Sequence, residues 1–217
     1  MENLSNEIRH NARGDMMLKH RQSKNYDDYV RIQKAKGIAK REILLQNLEK
    51  DTKAFQAVFT AAKEFMNPGS VLCLGARSGA EVDAWNNLGF SGSVGMDLYP
   101  VGHNVIEADW HAMPFSDGSY PNVYTNALDH CLNLDGLASE IKKVLTDRGV
   151  LFFMATDREG FDDLDRRIAK GGNEFLFWQK SEDLAEAFIA YGFNLAKEWK
   201  VGKWSHYIMR LGENKEI

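Results

Sequence analysis

Two cysteines in 217 residues are few, and the shortage closes off two classes of protein. Cys73 lies in an apolar run and Cys131 far from it, which gives neither a disulfide framework nor a metal-ligand spacing, so both read as reduced thiols. No apolar run reaches the ~18 residues that a membrane-crossing helix needs. Met1-Glu2-Asn3-Leu4-Ser5 lacks the apolar core of a signal peptide. The expectation is a soluble, cytoplasmic protein that makes no membrane contact. A strong charge of one sign is also missing, because the net charge is only −4. It is unevenly spread: residues 1–66 hold 13 Lys+Arg against 9 Asp+Glu, and the remainder holds 14 against 22. A basic arm can follow a nucleic-acid backbone, but basic residues interspersed with acids fit a solvated helical face better. With 44% hydrophobic residues, the chain can bury one sizeable core. The expected organisation is a basic helical extension over 1–66 and a core domain over 67–217.

What is present centres on Val71-Leu72-Cys73-Leu74-Gly75-Ala76-Arg77-Ser78-Gly79-Ala80-Glu81. An apolar run ends at one glycine and a second follows. Ala80, Val82, Ala84, Trp85 and Leu88 then recur at helical spacing, so the stretch reads as strand, tight loop and helix. Gly75 permits a turn that a side chain would obstruct, and Gly79 lets the helix begin close to a ligand. The next apolar segment, Ser93-Val94-Gly95-Met96, ends in Asp97, where a carboxylate at a strand's carboxyl edge can accept both hydroxyls of a ribose. Asp97 as the cap of a turn is the plainer alternative.

Around this centre the chain alternates. Residues 1–24 show no sustained period and read as a frayed arm. Residues 26–49 are helical with a break at Gly37, and Asp51 or Thr52 caps a second helix carrying Phe55, Val58, Phe59, Ala62, Phe65 and Met66 on one face. Asn67-Pro68-Gly69 launches the first strand. A third strand over 104–108 delivers Asp109-Trp110, and a turn-rich loop leads into a fourth over 123–128. A helix opens at Leu134, and Val150-Leu151-Phe152-Phe153-Met154 suits a strand buried on both faces. Residues 157–179 are too long for a tight connection and suit a lid. Ser181 caps a helix that Gly192 ends. Residues 193–199 and 205–211 are joined closely enough to force an antiparallel hairpin.

Alternating strands and helices closing on that hairpin, with Asp97 after the second strand and Asp109-Trp110…Met113-Pro114-Phe115 after the third, resemble the class I S-adenosylmethionine-dependent methyltransferases, in particular their small-molecule, methyltransferase type 11-like branch. Asp117-Gly118-Ser119-Tyr120-Pro121-Asn122-Val123, Leu128-Asp129-His130 and Glu140-Ile141-Lys142-Lys143-Val144-Leu145 carry the likeness onward, which covers about residues 68–211. The resemblance implies an α/β fold with a Rossmann-like, doubly wound sheet of seven strands, mostly parallel with the antiparallel C-terminal hairpin strand, plus the N-terminal helical extension. It implies S-adenosyl-L-methionine as cofactor and a small-molecule O- or N-acceptor as partner. Gly75, Ala76, Arg77 and Gly79 would pass under the methionine part of the cofactor, Asp97 would hold the ribose with Leu98 in the same cofactor-binding set, and Asp109 and Trp110 would flank the adenine. Asn126 belongs to the same cofactor-binding set. Asp109 as a cap and Trp110 as plain core are the alternatives.

Two positions depart from the family pattern: Cys73 stands where an acid is usual, and Arg77 where a middle glycine is usual. The first removes a common anchor for the cofactor's ammonium. Arg77 either meets the cofactor carboxylate or pairs with Glu81. An arginine there also argues against a dinucleotide, whose pyrophosphate needs close backbone approach. Because the methyl donor is already activated, alignment in a dry site is the main task, and a base is needed only when the acceptor must lose a proton. His130 is the first candidate for base or substrate orientation and Asp129 the second, with a structural role for His130 as the alternative; His111, His103 and Asp157 are weaker candidates, and no metal is required. Tyr26, Tyr29, Phe161, Phe175, Phe177 and Trp178 either wall a substrate pocket or pack as satellites. A non-catalytic scaffold of the same fold, associated with nucleic acid through its basic arm, is the competing reading.

Overall fold

A computed structural model describes residues 8–10, 16–20, 26–157 and 174–212. In chain order its elements are β1 (Ile8–His10), β2 (Met16–His20), α1 (Tyr26–Ala62), β3 (Val71–Leu74), α2 (Ala80–Asn87), β4 (Val94–Asp97), β5 (Val105–Glu107), β6 (Tyr120–Thr125), α3 (Leu134–Val144), β7 (Leu145–Thr156), β8 (Leu176–Trp178), α4 (Glu182–Ala190), β9 (Phe193–Val201) and β10 (Trp204–Leu211). Seven strands form one sheet in the order β5-β4-β3-β6-β7-β10-β9. β3 to β7 are parallel, and β10 runs antiparallel to both β7 and β9. The seven-stranded α/β architecture expected above is therefore the one adopted.

The apolar runs explain the layering. Val71, Leu72, Cys73 and Leu74 of β3 are all buried, as a strand covered on both faces must be. One face packs α3 and α4 through Leu137, Ile141, Leu184 and Phe188. The other packs α2 and the end of α1, where Phe59 stacks on Trp85 with centroids 4.2 Å apart and meets Tyr124 edge-on at 4.7 Å. β9 forms the far edge and exposes Lys197, Glu198 and Lys200, charges that discourage further strand pairing.

Three expectations are corrected. The helix of 26–49 does not break: α1 runs 37 residues without interruption, about 55 Å at the rise of an α-helix. Gly37 is buried against Tyr99, whose ring a Cβ would overlap, so the glycine serves close packing rather than a stop. The arm read as frayed contains β1 and β2, an antiparallel pair, and β2 pairs in turn with β8 through Leu18 opposite Trp178. The two segments lie far apart in sequence, which is why no local period announced them. Ser181 makes no cap bond; its hydroxyl donates to Asp157 Oδ1 at 2.6 Å and lies 3.0 Å from the Tyr207 hydroxyl, while Asp183 Oδ2 accepts the Lys180 N–H. Smaller shifts occur too: β6 starts before the expected fourth strand and ends at Thr125, leaving Leu128–His130 as a 3-10 turn.

Candidate functional site

The chain leaves β3 to form β4 and β5 on one side and returns to form β6 on the other, so a crevice opens where the strand order reverses. There β3 turns sharply. Gly75 has φ +74°, and a Cβ on it would come within 2.8 Å of the Ala127 Cβ, so both backbone and space exclude a side chain. The Gly75 and Ala76 N–H groups donate to Met96 O at 2.8 and 3.2 Å, and Arg77 O accepts from Val101 N at 2.7 Å. The loop is thus pinned to β4 and to the turn that follows it.

A cavity of about 420 Å³ sits on this loop, within the size range of small-molecule sites. Gly75, Ala76, Arg77, Asp97, Leu98, Trp110, Asn126, Asp129 and His130 all line it. The structure does not bring Gly79 or Asp109 to its wall. Gly79 instead precedes α2 with φ +82° and lies 3.4 Å, by its would-be Cβ, from Val105. Both oxygens of Asp109 are taken: Oδ2 accepts the Tyr26 hydroxyl, and Oδ1 accepts the His111 backbone N–H at 2.9 Å and faces His111 Nδ1 at 3.0 Å. His111 Nε2 accepts from the Asn133 N–H at 3.3 Å, which leaves Nδ1 to donate to Asp109. Burial works against the Asp109 charge, but the hydrogen bonds from His111 and Tyr26 outweigh it and hold the carboxyl below the ordinary aspartate range. This network ties α1 to the loop after β5 and to the start of α3.

Arg77 does not pair with Glu81. Its Nε donates to Asp97 Oδ1 at 3.3 Å and its Nη2 to Gln33 Oε1 of α1 at 3.3 Å. Asp97 Oδ1 also accepts the Tyr99 N–H at 2.8 Å. The long helix α1 therefore reaches the strand-end carboxylate through one guanidinium. Gln33 is only 2% exposed, and its burial at this spot could not be read from a helical pattern that lists it as polar.

Three further residues on the cavity wall lay outside the sequence-derived set. Glu81, 7% exposed on α2, has an Oε2 with no hydrogen-bond partner among the described residues. Burial, with Asp97 and Asp51 adding repulsion, pushes its carboxyl up to about 7, against its own backbone N–H and the Asn126 side chain. Lys36 and Lys40 project from α1; burial first, then the charges of Lys40 and Arg77, holds the Lys36 ammonium below the usual lysine range. Only their positions on helices whose register against the sheet is a tertiary fact put them here.

Of the aromatic residues expected to wall a pocket, Tyr29 lines the cavity. Its hydroxyl donates to His130 O at 3.0 Å and its ring meets Phe175 edge-on at 4.7 Å. Phe175, Phe177 and Trp178 are buried, with Trp178 Nε1 donating to Thr156 O at 2.8 Å, and Phe161 lies outside the described residues. The Phe175 N–H donates to Asp129 O at 2.7 Å, so the end of the 157–179 insert is bonded to the segment that presents Asp129 and His130. Asp157 is engaged away from the cavity, where Lys200 and Ser181 hold its carboxyl down to about 2. His103 is exposed. Among the described residues no group of three or more His, Cys, Asp or Glu could hold a metal ion, and no helix is long and apolar enough to cross a membrane.

No protein-family model matches the chain, and no curated protein matches it in sequence. Solved structures do match it in shape. A 1,6-didemethyltoxoflavin-N1-methyltransferase from Burkholderia thailandensis, solved with its substrate and S-adenosylhomocysteine, superposes with a TM-score of 0.63 at 13% identity over 90% of this chain and 95% of its own. A SAM-dependent methyltransferase from Thermotoga maritima gives 0.60 at 14% identity over 86% and 100%. A chain from the complex formed with the Haloferax volcanii Trm112 methyltransferase activator gives 0.63 at 14% identity over 89% and 100%. With its sheet order, its glycine loop at the reversal point and these likenesses, the chain has the fold of the class I S-adenosylmethionine-dependent methyltransferases.

Proposed function

We propose that the protein transfers a methyl group from S-adenosylmethionine to a small-molecule O- or N-acceptor. The observation that carries this reading is one cavity, at the carboxyl edge of the parallel strands, that gathers the Gly75 turn, the Asp97 carboxylate and the Trp110 indole. The residues fit such a cofactor: Asp97 offers its Oδ2 to the ribose hydroxyls, Trp110 gives the adenine an apolar wall, and Asn126 lines the same cavity. Asp109, with both oxygens engaged, acts as a positioning residue for that wall rather than as an adenine acceptor.

The bound cofactor supplies a methyl group already activated on a sulfonium. The protein's part is then alignment and exclusion of water. Residues 1–66 serve as a cap on the 67–217 domain, with α1 lending Tyr29, Gln33, Lys36 and Lys40 to the cavity. His130, whose carbonyl is fixed by Tyr29, orients the acceptor or takes its proton, with Asp129 beside it. A 420 Å³ cavity under a helix suits a small molecule better than a nucleic-acid strand.

The Arg77–Asp97 ion pair favours one second reading, a non-catalytic scaffold of the same fold, because the guanidinium competes for the carboxylate that would hold the ribose. Calorimetry with S-adenosylhomocysteine tests binding, and methyl-labelled S-adenosylmethionine with a panel of hydroxyl and amine acceptors tests transfer. Transfer to any acceptor removes the second reading; failure to bind removes the methyltransferase reading and leaves the scaffold.

A further inference from the structure

Glu81 is a problem the fold alone does not resolve. A carboxylate that is more than nine-tenths buried, lines a cavity and leaves one oxygen without a donor is unfavourable unless something brings it a proton or a cation. Nothing among the described residues does so. Arg77, the guanidinium on the same wall, gives its Nε to Asp97 and its Nη2 to Gln33. Asp97 and Asp51 add negative potential instead of relieving it. A metal ion is not suited, since the described residues offer no group of three ligands.

From this we infer that Glu81 binds the α-ammonium of the cofactor's amino-acid arm. The inference rests on the proposed use of S-adenosylmethionine and names a residue for a part of that molecule left without one. The cofactor carries two cations. The sulfonium has no N–H to give, whereas the ammonium has three, so only the ammonium satisfies an orphan oxygen. Position agrees with chemistry: Glu81 lies on the first turn of α2, directly after the loop that begins at Gly75. Cys73, the residue of β3 standing where an acid would otherwise face this arm, is fully buried, and Glu81 is the charge that acts on its thiol. On this inference the acidic function sits on the helix instead of the strand, where the carboxylate lines the cavity.

Two ligands separate this claim from the reading beneath it. S-adenosylhomocysteine carries the ammonium, and 5′-methylthioadenosine keeps the adenosine and the sulfur without it. In calorimetric titrations Glu81→Gln, nearly identical in shape, should weaken S-adenosylhomocysteine by about 10- to 100-fold, the worth of a hydrogen bond to a charged group, and leave 5′-methylthioadenosine unchanged. A second measurement needs no variant. Because Glu81 titrates near 7, wild-type affinity for S-adenosylhomocysteine should rise about tenfold from about pH 6 to about pH 8, as the carboxylate becomes available, while that for 5′-methylthioadenosine stays level. A variant that loses both ligands equally, or keeps both, overturns the inference, as does a shared pH profile. A wild-type protein that binds neither ligand instead overturns the cofactor assignment itself.

Discussion

Replacing Glu81 by Gln in the ligand-free protein removes a titration that folding has displaced. The carboxyl moves from an ordinary value of 4.5 to about 7 on burial. The folded value is the higher one, so the folded chain holds this proton more tightly. Its favourable contribution is complete below the unfolded value of 4.5 and is lost as pH rises through about 7. At 1.36 kcal/mol per unit, the loss amounts to about 3 kcal/mol at most. Glu81 is buried, so no discount for solvent screening applies. Urea denaturation from about pH 5 to about pH 8.5, in steps, reads this directly as the difference between two stability curves. The Gln variant should gain on the wild type with rising pH, by about 2.5 kcal/mol across the range. Parallel curves would refute the claim that the carboxyl is buried with one oxygen unpartnered in the free protein.

Other outcomes follow from named contacts. Asp97→Asn keeps an acceptor for Tyr99 but removes the charge that holds Arg77, and should weaken S-adenosylhomocysteine by at least about tenfold in calorimetry; unchanged affinity would contradict a role in ribose binding. Phe59→Ala removes the ring between Trp85, Tyr124 and Phe152 and should cost about 3–5 kcal/mol in denaturant unfolding. A loss below about 1 kcal/mol would show that this aromatic cluster repacks. Gly37→Ala inverts the usual expectation: alanine normally stabilises a helix interior by about 1 kcal/mol, yet here its Cβ overlaps the Tyr99 ring near its root, so the melting temperature should fall. A rise would mean that α1 stands clear of Tyr99.

The parallel half of the sheet was legible because its signals are local. An apolar strand ending in Gly75, an apolar strand ending in Asp97 and a doubly buried run through Phe152 each declare themselves within a few residues, and all three lie where the alternation put them. What escaped was set by contacts between distant segments. Met16–His20 has no period of its own and becomes a strand because Leu176–Trp178 supplies an edge. Gly37 looks like a helix stop until Tyr99 fills the space beside it. The cavity divides in the same way. Its loop and strand-end residues were found from spacing, whereas the partner of Arg77 depends on Gln33, a residue of a helix crossing overhead. Asp109 carried the right composition for an adenine acceptor, but Tyr26 and His111 reached it first. Glu81 read only as a candidate partner for Arg77, and the packing of α2 against β3 and β4 turns it toward the cavity.

The account stands on where adenosine lies, and a crystal structure of the protein with S-adenosylhomocysteine tests this most directly. It predicts the ligand in the cavity over Gly75, with the ribose hydroxyls within hydrogen-bond reach of Asp97 and the adenine against Trp110. A ligand bound elsewhere, or an Asp97 still turned wholly to Arg77 with no contact to the ribose, would contradict it.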